Sequence, residues 1–326
     1  MTIRSHFDFI FLGAGCASLS LLLRLIRSEK FSDKKIVLID KDAKKSNDRT
    51  WCFWEKENGF FDEIVFRKWN TISFLSDDYN ADMSIVPYQY KMIRGIDFYE
   101  YCFKEISKHR NIEFVQGNID EWDYQEKLLS IKLNDAEYRF DNTILFSSIY
   151  KDNSKGKKVI KLLQHFKGWI IETQESSFDT QKATMMDFRI NQNNGTSFVY
   201  VLPFDEKTAL VEYTLFTKQL LEPEEYDEQL KNYIKSFLGI EHYKVSEREF
   251  GVIPMTNEKF SFEKNGWNIG TAGGQTKASS GYTFQFIQKQ SQQIFECLVN
   301  QKPLDQIPAL PTRFRFYDNT LLDILY

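Results

Sequence analysis

Apolar positions fall in short unbroken runs near the start of the chain and in two-residue alternation through its middle. His6 to Leu12 (HFDFIFL) is a run of strand length that turns at Gly13, and Cys16 to Arg27 is helix-like with Leu, Ala and Ile nearly all round. A helix with so little polar face is one buried against a sheet. Lys35 to Ile39 (KIVLI) is the next strand, ending at Asp40. Strands buried on both faces and joined through a helix predict a parallel βαβ opening. Residues 97–109 read as a helix and Ile112 to Val115 as the strand after it. Leu128–Leu133 and Glu137–Phe140 read as a hairpin, and Thr143–Ser147 as another buried strand. The Lys-, Asp- and Ser-rich stretch 151–158 predicts a solvated connection between lobes.

From Gly168 to Tyr213 the pattern becomes all strand: GWIIET, KATMMDFRI, SFVYVLP and TALVEYTLF. Asn193-Asn194-Gly195 and Asp205-Glu206-Lys207 supply turns. Glu222 to Leu238 is an amphipathic helix with acids in its first turn, Trp267 to Gly270 a strand entering a Gly-rich turn, and Tyr282 to Val299 a long helix. No internal repeat interrupts this order.

The length of 326 residues accommodates two lobes with a substantial core. A net charge of −4 argues against nucleic acid as a main partner. Cys16, Cys52, Cys102 and Cys297 have no metal-ligand spacing, so no metal site is expected and the thiols read as free in a reducing compartment. No leader-like segment opens the chain, and no apolar run of about 18 residues is present to span a bilayer. Aromatics stand out at 16%, which fits either a biased base composition or a long apolar pocket or lipid-facing surface.

Gly13-Ala14-Gly15-Cys16-Ala17-Ser18 lies at the first strand-to-helix junction. The first glycine permits the tight turn and the second lets backbone approach a pyrophosphate, which the helix N-terminus attracts. Ser18 replaces the third glycine and is still small. Asp40, at the end of the second strand, is placed to accept hydrogen bonds from ribose hydroxyls. Strand, glycines, helix, strand and acid in register predict a dinucleotide site through Gly13, Gly15, Cys16, Ala17 and Asp40, without separating FAD from NAD.

Later blocks resemble the bacterial lycopene β-cyclases, a family of FAD-dependent carotenoid cyclases. They are NDRTWCFW at 47–54, Met186-Asp187, FVYVLP at 198–203, LVEYT at 210–214, FGVIPM at 250–255 and GTAGGQTKASSGYTF at 270–284. The resemblance covers nearly the whole chain. It departs at Ser147-Ser148, where an Asp-Gly or Asp-x-Arg ending is common, and at Thr271, where many such flavoproteins carry Asp. Members usually continue beyond Leu321–Tyr326, so a further C-terminal segment is expected.

The resemblance implies an α/β fold: an FAD-binding Rossmann-like domain of the aromatic-hydroxylase or glutathione-reductase type, with a second, mostly antiparallel β-sheet substrate domain. The expected division is 1–163 with 264–326 for FAD and 164–263 for substrate. It implies an isomerase acting on lycopene to give β-carotene, using reduced FAD with NAD(P)H as an external electron donor. It also implies a cytoplasmic protein resting on the inner face of the membrane. Arg49, Thr50, Gly273, Gly281, Tyr282 and Thr283 are expected at the cofactor, the last three because they open a helix N-terminus toward a reduced, anionic flavin. Alternatives are another flavin enzyme on polyene or prenyl chains, a monooxygenase or reductase, and an inactive carotenoid-binding flavoprotein.

Ring closure begins when an acid protonates a terminal alkene, a very weak base. The acid must therefore stay protonated in an apolar pocket, with π-faces for the cation and no water to trap it. Alternation in LVEYT sets Leu210, Glu212 and Thr214 on one strand face. Glu212 alone reads as a surface acid; the family's acidic block makes it the expected catalytic acid. Asp187, inside an apolar strand, is the second candidate, against a role as a buried structural hydrogen bonder.

Overall fold

The computed structural model describes residues 3–151, 159–258, 260, 266–308 and 312–326. Of the expected connection at 151–158, residues 152–158 lie outside the described residues. A five-stranded parallel sheet forms the centre of the first unit, in the order 267–268, 144–147, 9–12, 36–40 and 112–116. Two-sided burial explains its composition: Phe9–Leu12 is buried at every position. One face receives helix α1 (Cys16–Arg27), with Phe9, Phe11 and Leu38 packing on Leu19, Leu22 and Ile26. The other face carries an antiparallel meander, whose Leu129, Ile131 and Phe140 meet Ile10, Leu12 and Val37. Helix α2 (Gly95–Ile106) continues the α1 layer.

The second unit is a seven-stranded sheet in the order 243–256, 161–173, 208–217, 196–203, 182–187, 71–75 and 80–84. Its first five strands pair antiparallel, and the 182–187 strand runs parallel to 71–75. The sheet thus takes in Thr71–Leu75 and Asn80–Ser84, and its longest internal strand begins at Lys161. Ladder pairing recruits segments outside the expected 164–263 into the same sheet. Helix α3 (Pro223–Ser236) covers one face, burying Tyr226, Leu230, Tyr233 and Ile234 against Trp169, Val199, Val211 and Tyr213. Its start is set by Pro223 and a capping box between Glu222 and Glu225.

The uncovered face looks toward the first unit. A three-stranded sheet of 50–55, 89–94 and 67–69 bridges the two. Helix α4 (Phe284–Val299) returns to the parallel sheet and lies beside α1. Arg24 joins them, donating from Nε to Ser291 Oγ at 3.0 Å and from Nη1 to Gln292 Oε1 at 2.8 Å. A last helix, α5 (Thr312–Leu325), packs Leu322 on Leu162 and Met255 at one end of the large sheet.

Candidate active site

A cavity of about 430 Å³ separates the N-termini of α1 and α4 from the open face of the large sheet. Gly15, Cys16 and Ala17 form its first wall. The α1 N-terminus has no side-chain cap, and a Cβ built on Gly15 would meet nothing within 4 Å. Free amides therefore open on empty space, which suits an anion brought close to the backbone. Gly13 sits just behind with φ +89°, a left-handed conformation that glycine adopts at no steric cost. Asp40 Oδ2 accepts from Ala14 N at 2.6 Å and lies 3.4 Å from Lys44 Nζ. Its carboxylate thus braces the glycine turn from the end of the second strand.

The opposite wall includes Gly281, Tyr282 and Thr283, which lead into α4, again without a side-chain cap. Gly281 has φ +68°, and a side chain there would strike Gln164 Oε1. That Gln164 oxygen is buried without a partner and faces the same cavity. An uncapped helix end beside an unused buried acceptor fits the polar, donor-and-acceptor edge of a flavin ring. Arg49 and Thr50 also line the cavity. Arg49 pairs with Asp48, Nη2 to Oδ2 at 2.9 Å, whereas the Thr50 hydroxyl donates to Glu249 Oε2 at 2.9 Å. Gly273 is not among the cavity walls: its missing side chain makes room for the Asn268 carbonyl and Gln290, and Gly270 and Thr271 reach the cavity in its place.

The sheet supplies the third wall, with Phe166, Tyr200, Leu202, Leu210 and Glu212. Glu212 lies opposite Tyr200 on one neighbouring strand and Gly168 on the other. Alternation thus sends Leu210 and Glu212 to the cavity, as the sequence pattern requires, while Tyr213 packs beneath α3. Above them Tyr90 and Tyr282 meet hydroxyl to hydroxyl at 3.1 Å. Burial holds both phenols neutral and lifts Tyr282 to about 12.

Burial also pushes the Glu212 carboxyl well above the usual carboxylate range; the neighbouring Glu249 adds to the rise, and the Thr214 hydroxyl, 3.0 Å from Oε1, opposes it. Glu249 is raised by burial too, but its hydrogen bonds with Glu212 and Thr50 pull it back. Glu212 is therefore the member of the pair that keeps a proton. Glu249 escaped the sequence reading because VSERE, just before FGVIPM, looks like a solvated charged run.

Asp187 is not brought to this cavity. It lies under α3, fully buried, accepting from Arg189 Nε at 2.9 Å, Arg189 Nη2 at 2.6 Å and Tyr233 Oη at 2.7 Å. Both oxygens are committed to these donors, away from the cavity. No cluster of His, Cys, Asp or Glu able to hold a metal occurs among the described residues. No described helix is long and apolar enough to cross a membrane.

A profile of the lycopene cyclase protein family matches residues 8–315. The chloroplastic neoxanthin synthase of Solanum tuberosum is 23% identical over 300 residues, covering 86% of this chain and 58% of the relative. The chain thus spans little more than half the length of that curated relative. Among solved structures, a geranylgeranyl bacteriochlorophyll reductase-like protein from Thermoplasma acidophilum superposes with a TM-score of 0.68 at 10% identity, covering 99% of this chain and 84% of the other. A flavin-dependent brominase superposes with a TM-score of 0.67 at 12% identity, covering 97% and 84%. At such identities the structural likeness is one of fold: the Rossmann-like architecture shared by flavin monooxygenases and reductases.

Proposed function

From the premise that the chain belongs to the lycopene cyclase protein family, we propose that it is a lycopene β-cyclase that binds FAD and closes the acyclic ends of lycopene to β-rings by proton donation from Glu212. The observation that carries this reading is the placement of Glu212: a carboxyl whose ionisation is opposed by burial, in the wall of an aromatic cavity onto which two uncapped helix N-termini open. The net change is an isomerisation, so the enzyme class is that of the isomerases and intramolecular lyases.

The amides of Gly15, Cys16 and Ala17 would hold the pyrophosphate of FAD, Asp40 would serve the ribose from behind the glycine turn it braces, and Gly281, Tyr282 and Thr283 with the α4 terminus would hold the ring. Arg49 and Thr50 close the cofactor side. Bound and reduced, with NAD(P)H as the external source of electrons, the flavin supplies negative charge that favours a nearby cation. The Glu212 O–H gives its hydrogen to the terminal alkene carbon, and the adjacent double bond attacks the cation to close the ring. The ring then loses one proton, so none is consumed overall. Tyr200, Tyr90 and Phe166 face the cation with π-density and keep water away.

A substrate this insoluble is best met at a bilayer. Phe250 and Val252, at the cavity rim, are 50% and 42% exposed, and α5 adds the exposed Phe316 and Ile324. These support peripheral contact with the inner face of the membrane.

The test is pigment extraction from lycopene-accumulating cells expressing the wild-type chain or Glu212→Gln. Wild type forms β-rings without stoichiometric consumption of NAD(P)H. The variant folds and keeps its flavin but loses on the order of 10²–10⁴ in rate. Stoichiometric NAD(P)H consumption would instead mark a monooxygenase or reductase, and bound pigment without product a carotenoid-binding flavoprotein. Equal conversion by Glu212→Gln would refute the assignment of the acid.

A further inference from the structure

The strand between the two glutamates carries a glycine where they face each other. Gly168 pairs with Glu212 on one side and with Glu249 on the other, so the three share one row on one face of the sheet. A Cβ on Gly168 would lie 2.9 Å from Glu249 Cγ, 3.1 Å from Glu249 Oε1 and 2.9 Å from Leu210 Cδ1. The missing side chain is what lets the carboxyls come into hydrogen-bonding contact across the middle strand.

Glu249 is 7% exposed and is not one of the cavity walls. Its Oε2 accepts from Thr50, while Oε1 is buried with no ordinary donor. A hydrogen on the neighbouring Glu212 carboxyl, in contact with Glu249, would supply that oxygen with the donor it lacks. Two carboxylates in one dry row cannot both ionise cheaply. The other titratable groups around the pair are Tyr200, Tyr90, Tyr282 and Cys52, all neutral by burial, and Asp48 and Arg49, which offset one another beside Glu249.

We infer that Glu249 is the positioning residue of the acid: a carboxylate held behind the cavity wall that keeps one proton on Glu212 before each turnover and draws a proton back to it afterwards. This rests on Glu212 being the acid of the proposed cyclisation. In the first step the Glu212 O–H bond breaks as a C–H bond forms on the substrate, leaving two adjacent carboxylates. Their mutual repulsion makes Glu212 the strongest base within reach. When the ring C–H bond breaks, its electron pair forms the ring double bond and the proton restores the Glu212 O–H. No oxidant, reductant or outside proton enters, and Glu249 touches neither substrate nor cofactor.

Two measurements test this on Glu249→Gln, Gly168→Ala and Glu212→Gln. The first is the pH profile of kcat in the flavin-loaded enzyme. Removing the neighbouring charge lets Glu212 ionise sooner, and only the acid form protonates an alkene. The alkaline limb of Glu249→Gln should move to lower pH by roughly one unit or more, with KM little changed. Gly168→Ala, which keeps both carboxyls but wedges a methyl between them, should move the limb the same way.

The second is an infrared titration of flavin-free protein. The wild type should show a buried protonated-carboxyl C=O band at neutral pH; Glu212→Gln should lose it, and the other two variants should lose it at lower pH than wild type. If Glu249→Gln does not fold, Gly168→Ala decides by both readouts. If Glu212→Gln is inactive but limb and band stay in place in the other variants, the inference falls and the acid stands. If Glu212→Gln retains activity, the acid assignment itself falls.

Discussion

Gly15→Trp separates loss of the cofactor from loss of the fold. Gly15 has φ −85°, which any L-residue adopts, and its Cβ direction is open space. The indole therefore meets no protein atom at its root and enters the cavity where a pyrophosphate would lie. The cost to the fold is the replacement of glycine at a helix N-cap, about 1 kcal/mol. The cost to cofactor binding is far larger, because an aromatic side chain displaces the anion from the amides of the first turn. A ligand at a hundred times its Kd stabilises a protein by about 2.7 kcal/mol. At roughly 2 °C per kcal/mol for a chain of this size, saturating FAD should raise the wild-type Tm by roughly 5 °C. Gly15→Trp should melt within about 2 °C of the flavin-free wild type and gain nothing from FAD. Thermal melts with and without added FAD, alongside the ratio of flavin to protein absorbance after purification, read both quantities. A Gly15→Trp protein that carries flavin at wild-type stoichiometry, or shows the full FAD-dependent rise, would refute the cradle.

Two further outcomes follow from the same geometry. Asp187→Asn should destabilise the protein by roughly 3 kcal/mol, since it leaves the partly buried Arg189 guanidinium and the buried Tyr233 hydroxyl facing a neutral amide. Its conversion of lycopene per folded, flavin-loaded molecule should stay at the wild-type level, and a kcat loss like that of Glu212→Gln would return Asp187 to the chemistry. Flotation with liposomes should carry the protein into the lipid fraction, and Phe250→Glu with Val252→Glu should reduce this; protein wholly in the soluble fraction, with or without lycopene, would count against membrane contact.

What the sequence discloses here depends on how local the determinant is. The βαβ opening and the strand face shared by Leu210 and Glu212 were legible because each rests on a short period: an apolar run, two glycines, alternation in LVEYT. The 243–256 strand was not, because Lys244, Glu247 and Arg248 break its pattern; it is an edge strand, where charge is tolerated and blunts pairing with other chains. The strands at 67–69, 71–75 and 80–84 are too short to show a period. Glu249 was illegible for a deeper reason. Its partner, 37 positions away, is reached through the register of two ladders over Gly168, and register is a tertiary fact. Asp187 stayed open between two readings because an acid in an apolar strand looks alike whether catalytic or structural; Arg189 two residues on was the available clue to its hydrogen bonds.

The convergence of α1 and α4 has an electrostatic consequence. Each uncapped N-terminus carries roughly half a positive charge, and both open on the same cavity while Arg24 ties the two helices side by side. Left to itself, such a pair of like poles resists the packing that the apolar core imposes. An anion between them converts the repulsion into attraction at both ends. A negatively charged guest bound there would therefore also stabilise the packing of the two helices whose tips it meets.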